Sequence, residues 1–271
     1  MALVTLTTDF GTTDGYVGAM KGVILSRAPA ATVVDLTHTI PRHDVTAAAH
    51  ALANAVPFFP PGSIHVAVVD PGVGTERKPI ILRGDREQLF VGPDNGVFSL
   101  IAPRPQAVYE IASPEFRRER PSATFHGRDV FAPAAAALAA GLPPDQAGPA
   151  VVLRGQLPPI TGADGADVYR VHHIDAFGNL VTNIPAASVA PGARLRVSGR
   201  DIDHLSRTYE DVAPGELLAY VGSRGTVEIA VREGSAAELL GAARATVVEL
   251  LPPAEAAPGS PRRAPDPGAP R

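Results

Sequence analysis

The chain has 271 residues, 45% of them hydrophobic and 19% charged, with a net charge of -4. That is the composition of a folded globular protein long enough for two cores, and its acidic balance speaks against a nucleic-acid groove, which needs clustered basic surface. No cysteine is present, which excludes disulfides, thiolate nucleophiles and cysteine-ligated zinc or iron–sulfur centres.

Ala2 to Thr8 reads as a strand. Because no basic n-region or long apolar run accompanies it, it does not read as a signal peptide, and a cytoplasmic protein without membrane partners is expected. A helix follows from Asp14 to Arg27, with Val17, Met20, Ile24 and Leu25 on one face and Thr13 or Asp14 as its cap. Thr32 to Leu36 is a second strand, and Asp44 can cap a helix that runs to about Val56, before Pro57. Ile64 to Val69 is a buried strand ending on Asp70; Ile80 to Leu82 and Leu89 to Val91 form a hairpin; Val108 to Ile111 is a short strand. Val130 to Ala140, closed by Gly141, is a helix. This alternation predicts an α/β domain over 1–154 with a largely parallel central sheet.

Composition shifts at 155–166, a Gly- and Pro-rich linker, and from 167 to 251 short strand-like segments spaced by turns predict a small all-β barrel or sandwich. Residues 252–271, rich in Pro, Ala, Gly and Arg, are expected to be a disordered tail. No internal repeat is visible.

The run Val68-Val69-Asp70-Pro71-Gly72-Val73-Gly74-Thr75-Glu76-Arg77 carries the strongest chemical signal. It puts a carboxylate at the C-terminal end of a buried strand, where open α/β sheets bind ligands, and its glycines let the loop fold back to bring Arg77 near Asp70. An ordinary Asp-Pro-Gly turn with a solvated arginine fits the same letters. Thr7 to Gly15 joins the first strand to the first helix without a Walker or Gly-x-Gly-x-x-Gly pattern, so pyrophosphate binding has little support. Asp9 can accept a ribose diol, or the segment can be a plain capping turn. His126 stands just before the Val130 helix, where the dipole disfavours its protonated form; a structural histidine is the competing reading. His38, His43, His50 and His65 are scattered, and no metal site is expected. In the turn Asp175-Ala176-Phe177-Gly178-Asn179, Phe177 can stack on a base, while Asn179 and Asn183 offer amide edges; Gly222-Ser223-Arg224-Gly225 is a second polar turn.

Together, Thr8-Asp9-Phe10-Gly11, Val69 to Gly74, Gly92-Pro93-Asp94-Asn95-Gly96, Phe125-His126-Gly127-Arg128-Asp129, Asp175 to Asn179 and Ser223-Arg224-Gly225 resemble the S-adenosyl-L-methionine hydroxide adenosyltransferase family, the hydrolase branch of the superfamily that contains the fluorinating and chlorinating enzymes. The resemblance implies hydrolysis of S-adenosyl-L-methionine (SAM) at the ribose C5′ to adenosine and L-methionine, without a cofactor. It also implies an α/β domain, a C-terminal β-barrel, and a homotrimer with active sites between the N-domain of one subunit and the C-domain of its neighbour. By the same resemblance Asp70, Arg77 and His126 match the water-activating set. Asp9 matches the ribose aspartate, Phe177 and Asn179 fall in the adenine turn, and Asp175, Ser223 and Arg224 hold the methionine end. Many such hydrolases have an apolar residue where Arg224 stands. The halogenating relatives carry a tyrosine where this chain has Asp70, which favours water as nucleophile. A halogenase-type transferase, a metal-dependent nucleotidase and a non-catalytic adenosine or SAM binder are the rival readings.

Overall fold

A computed structural model describes residues 2–157 and 169–253. The expected linker lies outside the described residues from position 158 onward, and the expected tail from position 254 onward. The chain divides into two compact units, Met1–Pro158 and Pro159–Arg271.

The first unit is built on β1 (Leu3–Thr8), α1 (Tyr16–Arg27), β2 (Thr32–Thr37), α2 (Val45–Ala55), β3 (Ile64–Val68), β4 (Pro79–Arg83), β5 (Leu89–Pro93), β6 (Ala107–Glu110) and α3 (Ala132–Ala139). Its six-stranded sheet has the order β2-β1-β3-β5-β4-β6. The sheet is mixed: β1 pairs in parallel with β2 and β3, and β3 with β5, whereas β4 lies antiparallel between β5 and β6. The β4–β5 pairing is antiparallel because its short connection is a hairpin and leaves no room for a crossover helix.

Side-chain alternation along β3 feeds two cores. Val66 and Val68 join Val4, Leu6, Met20, Ile24 and α3 on one face. Ala67, and Val69 beyond the strand, join Leu52, Ile80, Leu82 and Phe90 on the other. Asp44 caps α2, accepting a hydrogen bond from the Ala47 N–H at 2.9 Å. The α1 helix begins later than the sequence pattern suggests: its N-cap is Gly15 with no side-chain capping bond, so neither Thr13 nor Asp14 does that work. Leu25, expected on the apolar face, is 43% exposed, because a helix advances 100° per residue and Ile24 already occupies the inner position. The helix expected from Val130 begins as a π turn over Gly127–Phe131 before α3 proper.

Two positions in this sheet carry measurable predictions. A Cβ on Gly92 of β5 would stand 2.5 Å from the Ala67 carbonyl oxygen and 2.8 Å from the Phe98 ring. Gly92→Ala is therefore expected to destabilise the protein by about 1–3 kcal/mol, the usual cost of overpacking, read as a lowered thermal midpoint. His65 lies opposite Thr5 and Phe90 in the register, with its Nδ1 2.8 Å from Thr5 Oγ1 and its ring stacked on Phe90 at 5.3 Å. Burial pushes its pKa down to about 4. Below pH 6.5 the unfolded chain takes up a proton here that the folded one refuses, so stability falls as pH drops from about 6.5 to 4, by on the order of 3 kcal/mol. Urea melts across that window should show the loss, and His65→Leu should flatten it.

The second unit comprises β7 (Val171–Ile174), β8 (Leu180–Pro185), β9 (Arg194–Val197), β10 (Arg200–Ile202), β11 (Leu205–Ser206), β12 (Leu217–Val221), β13 (Thr226–Val231), α4 (Ala236–Leu240) and β14 (Val248–Leu251). They make a three-stranded sheet, β10-β9-β14, and a five-stranded sheet, β11-β12-β13-β8-β7. Leu195 and Val197 from the first and Leu180, Ala219 and Ile229 from the second share one apolar cluster. Among the described residues no helix is long and apolar enough to cross a membrane.

Candidate active site

Asp70 lies two residues past the end of β3. The strand end is held by Asn95, whose Nδ2 donates to the Val69 carbonyl at 2.8 Å. Past Asp70 the loop turns twice, with Val73 N donating to Asp70 O at 3.2 Å and Thr75 Oγ1 donating to Gly72 O at 2.7 Å. Gly74 makes this possible: its φ is +77° and a Cβ there would meet the Ala123 carbonyl at 2.7 Å. The chain thereby returns Arg77 onto Asp70. Arg77 Nε donates to both carboxylate oxygens at 2.9 Å, and Nη2 also contacts Oδ2. Only 9% of the Arg77 side chain and 4% of that of Asp70 are exposed, and the guanidinium lies 5.3 Å over the Phe131 ring.

Arg77 Nη2 is also 2.7 Å from His126 Nδ1. A guanidinium only donates, so this contact assigns the accepting role to Nδ1 and the ring proton of neutral His126 to Nε2. Burial, assisted by the Arg77 charge and opposed by Asp70 and Asp129, holds the His126 pKa below its ordinary value. The segment around His126 is fastened by Asp129, which is 1% exposed. Asp129 accepts from Arg128 at 2.7 Å, from Arg118 at 3.2 Å and from Ser122 N at 2.8 Å. The Arg128 bond is the main reason its pKa falls to about 2.

Asp9 directly follows β1, and its Oδ2 accepts from the His43 N–H at 2.8 Å. His43 holds a left-handed φ of +65°, uncommon for a side-chain-bearing residue and a mark of local constraint. Behind Asp9, Thr8 Oγ1 bonds His38 Nδ1 at 2.9 Å. Asp9, Asp70 and His126 line a cavity of about 400 Å³ walled on one side by Phe10, Tyr16 and Phe125, whose rings meet edge-on at 5.2 to 6.0 Å. Sequence reasoning found the three polar groups but missed Tyr16, Arg42 and His43, which also line it. Only the positive φ of His43 marks that turn, and φ is invisible in the letters.

In the second unit the Asp175 turn closes on itself. Oδ1 accepts from the N–H groups of Phe177 and Asn179, and Oδ2 from Asn179 Nδ2, all at 2.9 Å. Phe177 is 79% exposed and shares a cavity of about 410 Å³ with Asn179, Tyr209 and Glu233. Asn183 is not an open amide edge: its Oδ1 accepts the Arg170 N–H at 2.6 Å. Ser223 and Arg224 sit on the separate β12–β13 turn. Burial lowers the Arg224 pKa, and Glu228 partly restores it. Tyr209, absent from every sequence motif, bonds Tyr220, which donates to Glu228 at 2.7 Å. Among the described residues no cluster of three histidines or carboxylates is arranged to hold a metal ion.

Residues 4–148 match the model of the SAM hydroxide adenosyltransferase N-terminal domain, and residues 169–249 match that of its C-terminal domain. The chain belongs to the SAM hydroxide adenosyltransferase family. Curated relatives include a Thermus thermophilus protein named (R)-S-adenosyl-L-methionine hydrolase, 43% identical over 90% of this chain and 97% of that protein. A Salinispora arenicola protein of the same name is 44% identical over 88% and 93%. A fluorinase from Nocardia brasiliensis is more distant, at 30% identity over 87% and 92%. Among solved structures, an uncharacterized conserved protein from Thermotoga maritima superposes with a TM-score of 0.82 at 35% identity, covering 92% of this chain and all of that one. The two family domain models thus match the two units of the chain separately.

Proposed function

We propose that the protein hydrolyses S-adenosyl-L-methionine, forming adenosine and L-methionine. The observation that carries the proposal is the buried Asp70–Arg77–His126 cluster on the wall of a cavity that also receives Asp9. The (R) descriptor in the relatives' names fits the sulfonium, the one stereocentre that L-methionine and ribose do not fix. The (R)-sulfonium form is therefore the proposed substrate.

The water oxygen bonds to C5′ as the C5′–S bond breaks, and the bonding pair leaves with sulfur. A sulfonium departs as a neutral thioether, so no acid is needed at the leaving group, and the site has only to aim water and accept its proton. Asp70 takes that role, because His126 Nδ1 is engaged by Arg77 and its Nε2 carries a hydrogen. His126 instead donates from Nε2 to the water oxygen. Arg77 orients Asp70 and His126 from behind. As positive and negative charge cancel toward the transition state, a water-poor cavity favours the reaction.

Asp9 is assigned to the ribose diol, with Phe177 and Asn179 assigned to adenine and Asp175, Ser223 and Arg224 to methionine. Asp175 already accepts three bonds in its own turn, but an ionised carboxylate has about four acceptor sites, leaving one for an ammonium. We further read the two C-terminal sheets as a small barrel, the protein as a cytoplasmic homotrimer in which a neighbouring copy completes each site, and the reaction as needing no cofactor.

Incubation with each sulfonium epimer in ¹⁸O-water, with and without chloride, tests this. The expected product is ¹⁸O-adenosine from the (R) epimer. A 5′-chloro nucleoside would make the protein a halogenase, and bound but unconverted ligand would make it a binder.

A further inference from the structure

His126 lines two cavities. Besides the one it shares with Asp70 and Asp9, it borders a second, of about 290 Å³, together with Arg77, Lys78, Glu110, Ala112 and Arg117. Asp70 lines the first and not the second, whereas Arg77 lines the second and not the first. The water-activating cluster is therefore a partition between two spaces.

The second space is polar where it meets the partition. Lys78 Nζ pairs with Glu110 on its wall, and Arg117 adds another cation. The Arg77 side chain is more than nine-tenths buried; its Nε and Nη2 are committed to Asp70 and His126, and its Nη1 has no protein partner among the described residues. A buried guanidinium N–H is costly unless a ligand or water accepts from it. The volume suffices for several waters, each needing about 30 Å³.

We propose that this second cavity is a water port, through which the attacking water reaches Asp70 and His126 while substrate fills the first cavity. The proposal rests on the hydrolase reading above. Displacement at C5′ needs the nucleophile on the side opposite sulfur, so a substrate seated with C5′ toward Asp70 covers the open mouth of its own cavity. The port supplies water from behind without opening that mouth to solvent.

The test uses a preformed complex of the enzyme with ¹³C-ribose substrate in ordinary water, diluted rapidly into ¹⁸O-water containing excess unlabelled substrate. The expected first-turnover ¹³C-adenosine from the unmodified protein carries ¹⁸O; ¹⁶O in that first turnover would overturn the port. Ala112→Phe and Arg117→Trp place bulk in the cavity and touch no group assigned to substrate. Each is expected to retain ¹⁶O in the first-turnover ¹³C-adenosine with substrate Kd unchanged, because with the port blocked the water sealed in beside the substrate is the one consumed. A folded variant whose first turnover still takes up ¹⁸O would overturn the proposal, as would one whose loss lies in Kd. No adenosine from the unmodified protein in any water would remove the hydrolase reading itself, and the port with it.

Discussion

Asp70→Asn is expected to lower kcat by about a hundred-fold to ten-thousand-fold, the range usual for loss of a positioned proton acceptor, while substrate Kd stays nearly constant. The substitution is nearly isosteric and keeps one oxygen able to accept from Arg77 Nε, so the fold of the 70–77 loop should persist. What it removes is the anion. One amide edge becomes a donor: facing Arg77 it meets no acceptor, because a guanidinium only donates, and facing the water it can no longer take the proton. The buried guanidinium then lacks its countercharge, and breaking such a pair costs about 3–5 kcal/mol when one partner is deleted outright. Retention of an amide oxygen should keep the measured stability loss below that. Single-turnover kinetics, calorimetric binding and a thermal melt separate the three effects. An unaffected rate would sink the assignment of Asp70 as proton acceptor; a lost rate with lost binding would move it to a substrate-holding role.

The legible part of the fold follows the rules that act within a few residues. Asp44 capped α2 where an acid precedes a helix pattern, and β3 ended at Val68, one residue short of the end of its apolar run. Gly72 and Gly74 announced a loop able to double back, and Arg77 is where such a loop should bring it. Longer-range choices were less visible. The placement of β4 between β5 and β6 has no local signal, and Leu25 faces outward because of where α1 sits on the sheet, not because of its own polarity. The tautomer of His126 is set by Arg77, 49 positions earlier in the chain, and no local pattern encodes it. Tyr209 and Tyr220 likewise meet Asn179 and Glu228 only through tertiary packing. Gly92-Pro93-Asp94-Asn95-Gly96, which sequence reading could place in a family but not in a mechanism, has a positional role: Asn95 pins the Val69 carbonyl, and Asp94 accepts from the Gly155 N–H at 2.6 Å.

Arg77→Lys is expected to fail almost as badly as Asp70→Asn, although it conserves charge. The guanidinium serves three acceptors from one rigid fork, two Asp70 oxygens and His126 Nδ1; a single ammonium on a flexible stem cannot hold all three in register. If it stays with Asp70, His126 Nδ1 is freed and the ring can exchange tautomers, so the Nε2 hydrogen directed at water is no longer fixed. A misdirected hydrogen bond at the reacting centre costs about a hundred-fold to a thousand-fold in kcat, and substrate Kd should not follow. Arg77→Met separates charge from geometry. It removes one of the two causes that hold the His126 pKa down, leaving burial, so that pKa should rise toward 6.5. The sign is fixed: His126 in Arg77→Met charges at a higher pH than in the parent protein. A proton NMR titration of the His126 ring reads the shift directly. If it fails to move, Arg77 does not act on His126 electrostatically, and its part in the cluster reduces to holding Asp70.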